Sequence, residues 1–276
     1  MDVVTGGVGL SYDFQEGLNL FGGVYHGASL PGPRSYIRSG ETLDEESSNS
    51  YELGFRYQNE ALIATGALFY SDLEDFIVPD NLGTGFEEFE GGETVVIDDG
   101  PNDGEISALG LELQLGYDLG AANGAGYSLP VTFGITLTKA EFESGASSAD
   151  GASIFSGARP GNTVPYVPEV QFHVGVGLDA GKYRIALDGT YVGDTNASGA
   201  NGSGPYNHSG AYDSRYGEVP GYFIADLTVQ YQLTDNTKVF ATARNLFDEQ
   251  YVVGRLPQGA RPAMPQSFLA GIKAQF

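Results

Sequence analysis

The chain of 276 residues contains no cysteine and no tryptophan, and only 13 of its residues are lysine or arginine. The lack of cysteine excludes a disulfide scaffold and any cysteine-ligated zinc or iron–sulfur site. The 36 aspartate and glutamate residues bring the net charge to −23. This balance argues against nucleic acid as a partner, because non-specific binding to nucleic acid requires a basic surface.

Long hydrophobic runs are missing as well. No stretch approaches the roughly 18 consecutive apolar residues that indicate a transmembrane helix. This absence is compatible with a membrane β-barrel, because a barrel strand needs only about 10 residues with every second one apolar.

The amino-terminal residues Met1–Thr5 lack the basic segment and the apolar core of a signal peptide. They lead almost directly into a strand. Since an exported protein needs such a signal, we expect that it was removed or that the chain is part of a longer protein.

Short stretches of alternating apolar and polar residues run through the whole chain. Leu111 and Leu113 alternate with Glu112 and Gln114, for example, and a period of two residues is typical of a β-strand with two unlike faces. The sequence therefore predicts an all-β fold. The eleven predicted strands are Thr5–Phe14, Leu18–Gly27, Tyr51–Tyr57, Ala61–Val78, Ile106–Asp118, Ser128–Phe142, Val167–Asp179, Lys182–Gly193, Tyr222–Gln232, Lys238–Phe247 and Ser267–Phe276.

The predicted connections alternate between short and long. Short turns at one rim and long loops at the other are typical of an outer-membrane barrel. The short connections are Gln15–Gly17, Gln58–Glu60, Leu119–Tyr127, Ala180–Gly181 and Leu233–Thr237. The long connections are Ala28–Ser50, Pro79–Glu105, Glu143–Tyr166, Asp194–Gly221 and Asp248–Gln266.

We therefore predict one domain over residues 1–276, an antiparallel up-and-down transmembrane β-barrel in the outer membrane of a Gram-negative cell. Its inner face is rich in Gly, Thr, Gln and charged residues, as expected for a wide lumen rather than a packed interior. Bacterial single-chain barrels usually have an even number of strands. The odd count of eleven predicts that the chain is the carboxy-terminal part of a larger barrel; the competing explanation is a miscounted strand.

Aromatic residues mark both the turns and the end of the chain. Tyr12, Tyr57, Tyr117 and Tyr231 each precede a short turn by one to three residues, which predicts an aromatic girdle at a membrane–water interface. The last strand carries Phe268 and Ile272 on one face and ends on Phe276. We expect this strand to close the barrel and to serve as a signal to the barrel assembly machinery.

The region around the last two strands resembles the end of TonB-dependent outer-membrane receptors. The segment Arg244–Tyr251 reads Arg-Asn-Leu-Phe-Asp-Glu-Gln-Tyr, and it is followed by Gly254-Arg255, Pro262 and the aromatic final strand. The segment Pro31-Gly32-Pro33 after the second predicted strand is similar to the ferric-citrate receptor branch of that family.

The resemblance implies about the last half of a 22-stranded barrel, in a receptor that imports a ferric siderophore, with ferric citrate as the suggested ligand. In the family, the ligand binds between the extracellular loops and a plug domain, and TonB pulls on the plug. Neither a plug nor a TonB box is found in this sequence. TonB would therefore act through parts outside the chain, and energised transport by this chain alone is not expected.

Loop arginines are the candidate ligand-binding residues. An arginine binds carboxylates through two parallel hydrogen bonds, and ferric citrate is an anion covered with carboxylates. The alternative is that each arginine pairs with an acidic neighbour in its loop. The six candidates are Arg34, Arg38, Arg159, Arg215, Arg255 and Arg261.

No catalytic arrangement and no resident cofactor or metal site are predicted. The three histidines, His26, His173 and His208, lie far apart in the sequence and have no second ligand at metal spacing. Iron is expected only as part of the transported ligand. Membrane lipid, including lipopolysaccharide, is the remaining expected partner.

Two other functions stay open at this point. The chain could be a self-standing outer-membrane barrel that acts as a passive channel or an adhesin. It could also be a soluble all-β carbohydrate-binding or cell-surface domain.

Overall fold

The architecture is taken from a computed structural model of the chain. It describes residues 3–30, 44–79, 88–90, 93–95, 99–144, 154–155, 157–206, 210–256 and 258–275.

Eleven long strands form one antiparallel sheet, in which each long strand pairs with the next long strand along the chain as an up-and-down meander. The predicted all-β, up-and-down fold is confirmed. The long strands are β1 (Gly6–Gln15), β2 (Leu18–Ser29), β3 (Glu46–Gln58), β4 (Leu62–Pro79), β7 (Asp99–Asp118), β8 (Pro130–Phe142), β9 (Val170–Ala180), β10 (Tyr183–Val192), β13 (Tyr222–Thr234), β14 (Thr237–Arg244) and β17 (Ser267–Ala274).

Six short strands and one helical turn lie in the connections, and the alternation of the sequence did not predict them. Each pair of short strands closes a small two-stranded ribbon within one long connection. They are β5 (Glu88–Glu90), β6 (Glu93–Val95), β11 (Thr195–Asn196), β12 (Glu218–Val219), β15 (Val252–Gly254), β16 (Arg261–Pro262) and the helix α1 (Leu119–Ala122). No helix in the described ranges has the length and apolarity needed to cross a membrane.

One face of the large sheet is apolar along nearly its whole width. Directly paired residues share a face, so the register can be followed from strand to strand: Leu113 pairs with Ile135, and Ile135 pairs with Phe172. Continued through the other strands, this register gathers most of the large exposed apolar side chains on one surface. Leu10, Leu53 and Ile272 are 79%, 67% and 71% exposed. We call this surface the apolar face.

The opposite surface, the polar face, carries the alternate residues of every strand. Glu112, Thr136 and Gln171 form one of its rows. The guanidinium of Arg56 lies 4.0 Å from the ring centroid of Phe21 on this face. An exposed apolar face and a polar reverse are the arrangement expected of a barrel wall with lipid outside and a watery lumen inside.

The pairing is staggered across the sheet. Tyr12 lies three residues before the end of β1 at its short turn, yet its register row leads through Phe55 and Leu113 to Phe223, the second residue of β13. Phe223 lies at the opposite end of its strand from the nearest short turn. A steady stagger of this kind is the shear that a sheet needs in order to curl into a barrel.

The short and long connections alternate as predicted. All short connections lie along one edge, the turn rim, and all long ones along the other, the loop rim. Strand β1 therefore runs from the loop rim to the turn rim, and β17, which follows a long connection, runs the same way. Within the described residues, β1 pairs only with β2 and β17 only with β14, so the sheet has two open edges.

Several predicted strand bounds were wrong. Strand β3 begins at Glu46 and β7 at Asp99, because polar residues continue the ladder beyond the apolar stretch. Asp75, within β4, has a φ of 55°. This residue lies at a shift of register between Leu73 and Phe76, so the alternation of the strand is broken there.

The four predicted girdle tyrosines all lie on the apolar face near the turn rim. Tyr231 is joined there by Tyr183, with ring centroids 4.9 Å apart. Phe268 and Ile272 lie on the same face of the edge strand β17, whereas Phe276 is outside the described residues. A girdle at a membrane interface stays a prediction for these residues.

The motif that follows β14 makes a buried corner. Asn245 has a φ of 50° and is 5% exposed. Its side-chain nitrogen donates to the Glu249 carbonyl and its side-chain oxygen accepts from the Glu249 N–H, both at 2.9 Å. Its own N–H donates to Asp226 at 2.9 Å. The corner thus ties the last long connection to β13.

We expect Asn245→Ala to destabilise the protein by about 3 kcal/mol, because it removes two hydrogen bonds and leaves a side chain in the left-handed region. Asn245→Gly loses the same bonds without that conformational penalty, so its cost should be about 1 kcal/mol smaller. Denaturant unfolding of both variants measures the difference. Equal losses would show that the positive φ contributes nothing.

Candidate ligand-binding face at the loop rim

Three long connections meet above the polar face at the loop rim. The side-chain amide of Asn201 imitates a strand partner of Thr163: its oxygen accepts from the Thr163 N–H at 2.6 Å and its nitrogen donates to the Thr163 carbonyl at 3.0 Å. The Asn162 side chain donates to the Gly199 carbonyl at 2.6 Å. The connections after β8 and β10 are therefore held together by a dense polar network.

The connection after β14 joins this layer through a tyrosine and an arginine. The Tyr166 hydroxyl accepts from the N–H groups of Leu256 and Arg255, at 3.0 and 3.3 Å. The Arg255 guanidinium donates to the carbonyls of Glu218 and Ser214, at 2.8 and 3.3 Å. Because each of these bonds crosses between connections, the three form one layer.

An apolar cluster lies under this layer at the upper end of the polar face. Phe142 is fully buried, and Phe76 and Ala158 are 8% and 2% exposed. The ring of Phe155, from the connection after β8, lies 5.2 Å from the ring of Phe76 and 6.1 Å from that of Phe142. This packing anchors the layer to strands β4 and β8.

Beside the cluster is a groove of about 710 Å³. Phe76, Phe155 and Ile106 give it an apolar side, while Glu46 and Ser48 of β3 give it a polar one. Its volume falls within the range of about 300–1,000 Å³ that is usual for small-molecule sites. The groove can therefore hold a ligand with both apolar and polar parts.

The structure places the six candidate arginines differently. Arg215 donates to both carboxylate oxygens of Asp213, with Nη2 2.7 Å from Oδ2 and Nε 3.0 Å from Oδ1. Arg255 donates to the two carbonyls described above. Arg159 and Arg261 are exposed, and neither makes a side-chain hydrogen bond or ion pair within the described ranges. Arg34 and Arg38 lie outside the described residues.

The Asp213–Arg215 pair gives the connection after β10 a pH dependence. The hydrogen bonds from Arg215 hold the pKa of the Asp213 carboxyl below its usual value. The ionised form therefore favours the folded connection, and this contribution is complete above the ordinary pKa of about 3.9 and disappears as the pH falls through the lowered value. Tyr216 is 3% exposed, and the Arg215 guanidinium lies 6.0 Å from the centroid of its ring.

Hydrogen exchange over residues 210–221, corrected for intrinsic rates, should be constant from pH 7 to about pH 5 and faster below about pH 4. In Asp213→Asn, exchange should be fast throughout this range and should not change further with pH. A wild-type protein equally protected at pH 7 and pH 3 would contradict the role of the pair.

The histidines do not come together. His26 is 2.9 Å from Asn49 Oδ1, and His173 lies 3.6 Å from Asp188 Oδ1 on the polar face, while His208 is outside the described residues. Among the residues that the structure covers, no three His, Asp or Glu side chains lie close enough to hold a metal ion.

The aromatic cluster was not predicted from the sequence. A signal was present in β8, whose polar-face residues change from Thr136 and Thr138 to Ala140 and Phe142 at the loop rim. This change from polar to apolar on an otherwise polar face marks where the connections pack. The contact with Phe155 could not be predicted, because that residue lies in a stretch without periodicity.

The family model described as "TonB dependent receptor-like, beta-barrel" matches residues 2–246. The catecholate siderophore receptor Fiu of Escherichia coli (strain K12) is 24% identical over 239 residues, covering 84% of this chain and 26% of that protein. The chain thus spans about a quarter of the length of this relative.

Solved structures share the fold. The ferric citrate transporter FecA, in the unliganded form, matches with a TM-score of 0.70 at 20% identity, over 97% of this chain and 37% of that one. The copper transporter OprC matches with a TM-score of 0.68 at 16% identity, over 99% of this chain and 39% of that one. The matched proteins are receptors and transporters, in agreement with the prediction that the chain is not an enzyme.

Proposed function

The chain belongs to the TonB dependent receptor-like β-barrel family, on the strength of a match that covers residues 2–246, and we propose that it forms part of a receptor that imports a ferric siderophore. The family consists of outer-membrane β-barrels. The chain would supply part of the barrel wall, with its apolar face toward lipid, together with extracellular loops that contact the ligand.

The groove beside Phe76 and Phe155 is the observation that carries this proposal. It lies on the polar face, which is the lumen side, and at the loop rim, which is the extracellular side. A ligand entering the lumen from outside the cell would cross this rim. The layer of connections above the groove is held by bonds such as those of Tyr166 and Asn201, so little ordering is required when a ligand binds.

Ferric citrate is one proposed ligand, and the exposed arginines support it. Arg159 and Arg261 are free to attract an anion to a chain whose net charge is −23. Arg34 and Arg38 are proposed to act in the same way. The apolar side of the groove supports a siderophore that also has an aromatic part, as the name of the relative Fiu implies for the ligand of that protein.

The proposed partner on the periplasmic side is TonB. Because the chain covers 26% of the relative Fiu, the segment that TonB engages would lie in another part of the full-length protein. Transport would be driven through that segment, and the groove described here would supply contacts to the ligand.

Uptake of radioactive iron by cells with and without the full-length gene tests the function. Iron should be offered as ferric citrate, as a ferric catecholate and as a ferric hydroxamate, each as the only source. We expect deletion to abolish uptake from one source, and deletion of tonB to abolish the same uptake. Uptake that requires the gene but not tonB would indicate a passive channel and contradict the proposal.

A further inference from the structure

A second cavity lies on the apolar face, away from the groove and the lumen. It has a volume of about 300 Å³ and is bordered by β9, β10, β13 and the residues that follow β14. Its outward-facing lining is apolar and includes Val176, Leu187 and Phe223. We call it the wall notch.

The notch exists because two small residues lie side by side on neighbouring strands, surrounded by large apolar side chains. Gly189 and Ala225 are direct partners on β10 and β13, and Ala225 is only 5% exposed although it belongs to an exposed face. Around it stand Leu187, Phe223 and Phe247, which are 45%, 39% and 69% exposed. Ala225 is therefore the floor of a recess with aromatic walls.

The position of Phe247 follows from the corner at the end of β14. After Asn245 the chain leaves the ladder, and the N–H of Leu246 donates to the Ala225 carbonyl at 2.7 Å. Phe247 comes next, beside the notch, with most of its side chain uncovered. Nothing within the described residues packs over this ring.

The notch lies in the half of the wall nearer the loop rim. Phe223 is the second residue of β13 after a long connection, and it continues an aromatic row in which the rings of Phe172 and Tyr191 are stacked 5.0 Å apart. In an outer-membrane barrel, long loops are extracellular. This half of the apolar face therefore meets the outer leaflet.

We propose that the wall notch holds one acyl chain of lipopolysaccharide, the lipid of the outer leaflet. A flat apolar wall covers a neighbouring acyl chain on one side, whereas a recess between Phe223, Phe247 and Leu187 surrounds it and packs more atoms against it. The recess is continuous with the lipid-facing surface, so a chain can enter sideways from the bilayer. A bound chain would in turn cover Phe247 and hold the corner at Asn245.

Lipid that remains with the full-length protein after purification from outer membranes in mild detergent tests the proposal. Mass spectrometry measures lipopolysaccharide and phospholipid per protein. Ala225→Leu fills the floor of the notch, and it should lower the retained lipopolysaccharide about tenfold. Ala241→Leu places the same side chain on the same face outside the notch, and it should retain as much lipopolysaccharide as the wild type.

Phe247→Ala provides a second variant in case Ala225→Leu fails to assemble. It removes one wall of the notch by truncating an exposed side chain, and it should also lower the retained lipopolysaccharide severalfold. Equal lipopolysaccharide in the wild type and in the variants that assemble would overturn the proposal. The proposal would also be overturned if the variants retained less phospholipid than the wild type but as much lipopolysaccharide.

Discussion

Replacing Ile135 by arginine should prevent most of the protein from reaching a stable membrane-inserted state. Ile135 lies midway along the apolar run of β8, between Leu113 and Phe172 on the neighbouring strands. A charge at the midplane of the lipid face of a barrel costs about 2–4 kcal/mol. We expect the folded fraction, measured by resistance to SDS at room temperature, to fall sharply and the urea midpoint to decrease.

Thr136→Arg is the matched control, one residue further along the same strand. Its side chain lies on the polar face beside Glu112 and Gln171. An arginine there meets water and a carboxylate, so the change in stability should be within about 1 kcal/mol of zero. If the two variants behaved alike, the assignment of the two faces would be wrong.

The second large effect is expected at Phe142. This side chain is fully buried between the end of β8 and the layer of connections. Truncating a buried phenylalanine to alanine costs about 3–5 kcal/mol. Because Phe142 contacts Phe155, which lines the groove, Phe142→Ala should also lower ligand affinity.

Phe133→Ala serves as the control for Phe142→Ala. Phe133 is on the same strand, but it lies on the apolar face and is 36% exposed. It should lose less stability, and ligand binding should not change. Calorimetry of both variants with the ligand identified by the uptake experiment makes the comparison. A loss of affinity in Phe133→Ala equal to that in Phe142→Ala would show that the cluster does not support the site.

The strands of the barrel wall could be predicted because their residues alternate between two different surroundings. Every strand separates lipid from water, so Leu113 must alternate with Gln114, and this pattern is visible without any partner strand. The prediction failed where the ladder continues on polar residues, as at Glu46, and where Asp75 breaks the alternation. These features depend on the neighbouring strand, which a single stretch of sequence does not reveal.

The candidate site was less predictable for a related reason. Its arginines were chosen by charge. Charge alone does not show that Arg215 donates to Asp213 or that Arg255 donates to two carbonyls. The contacts that shape the groove join residues far apart in the chain, such as Phe76 with Phe155. They come from connections whose composition is polar and aperiodic, so local sequence gives little indication of them.

The common direction of the two edge strands limits what can complete the wall. Two copies of the chain would provide twice eleven strands. A twofold axis along the membrane normal would place β17 of one copy beside β1 of the other, and both strands would run from the loop rim to the turn rim. Both seams would be parallel, unlike every pairing within the sheet. A set of strands that pairs antiparallel with both edges must have an odd number of strands, with its first and last strands running from the turn rim to the loop rim. Strand direction, rather than strand number, therefore opposes closure by self-association.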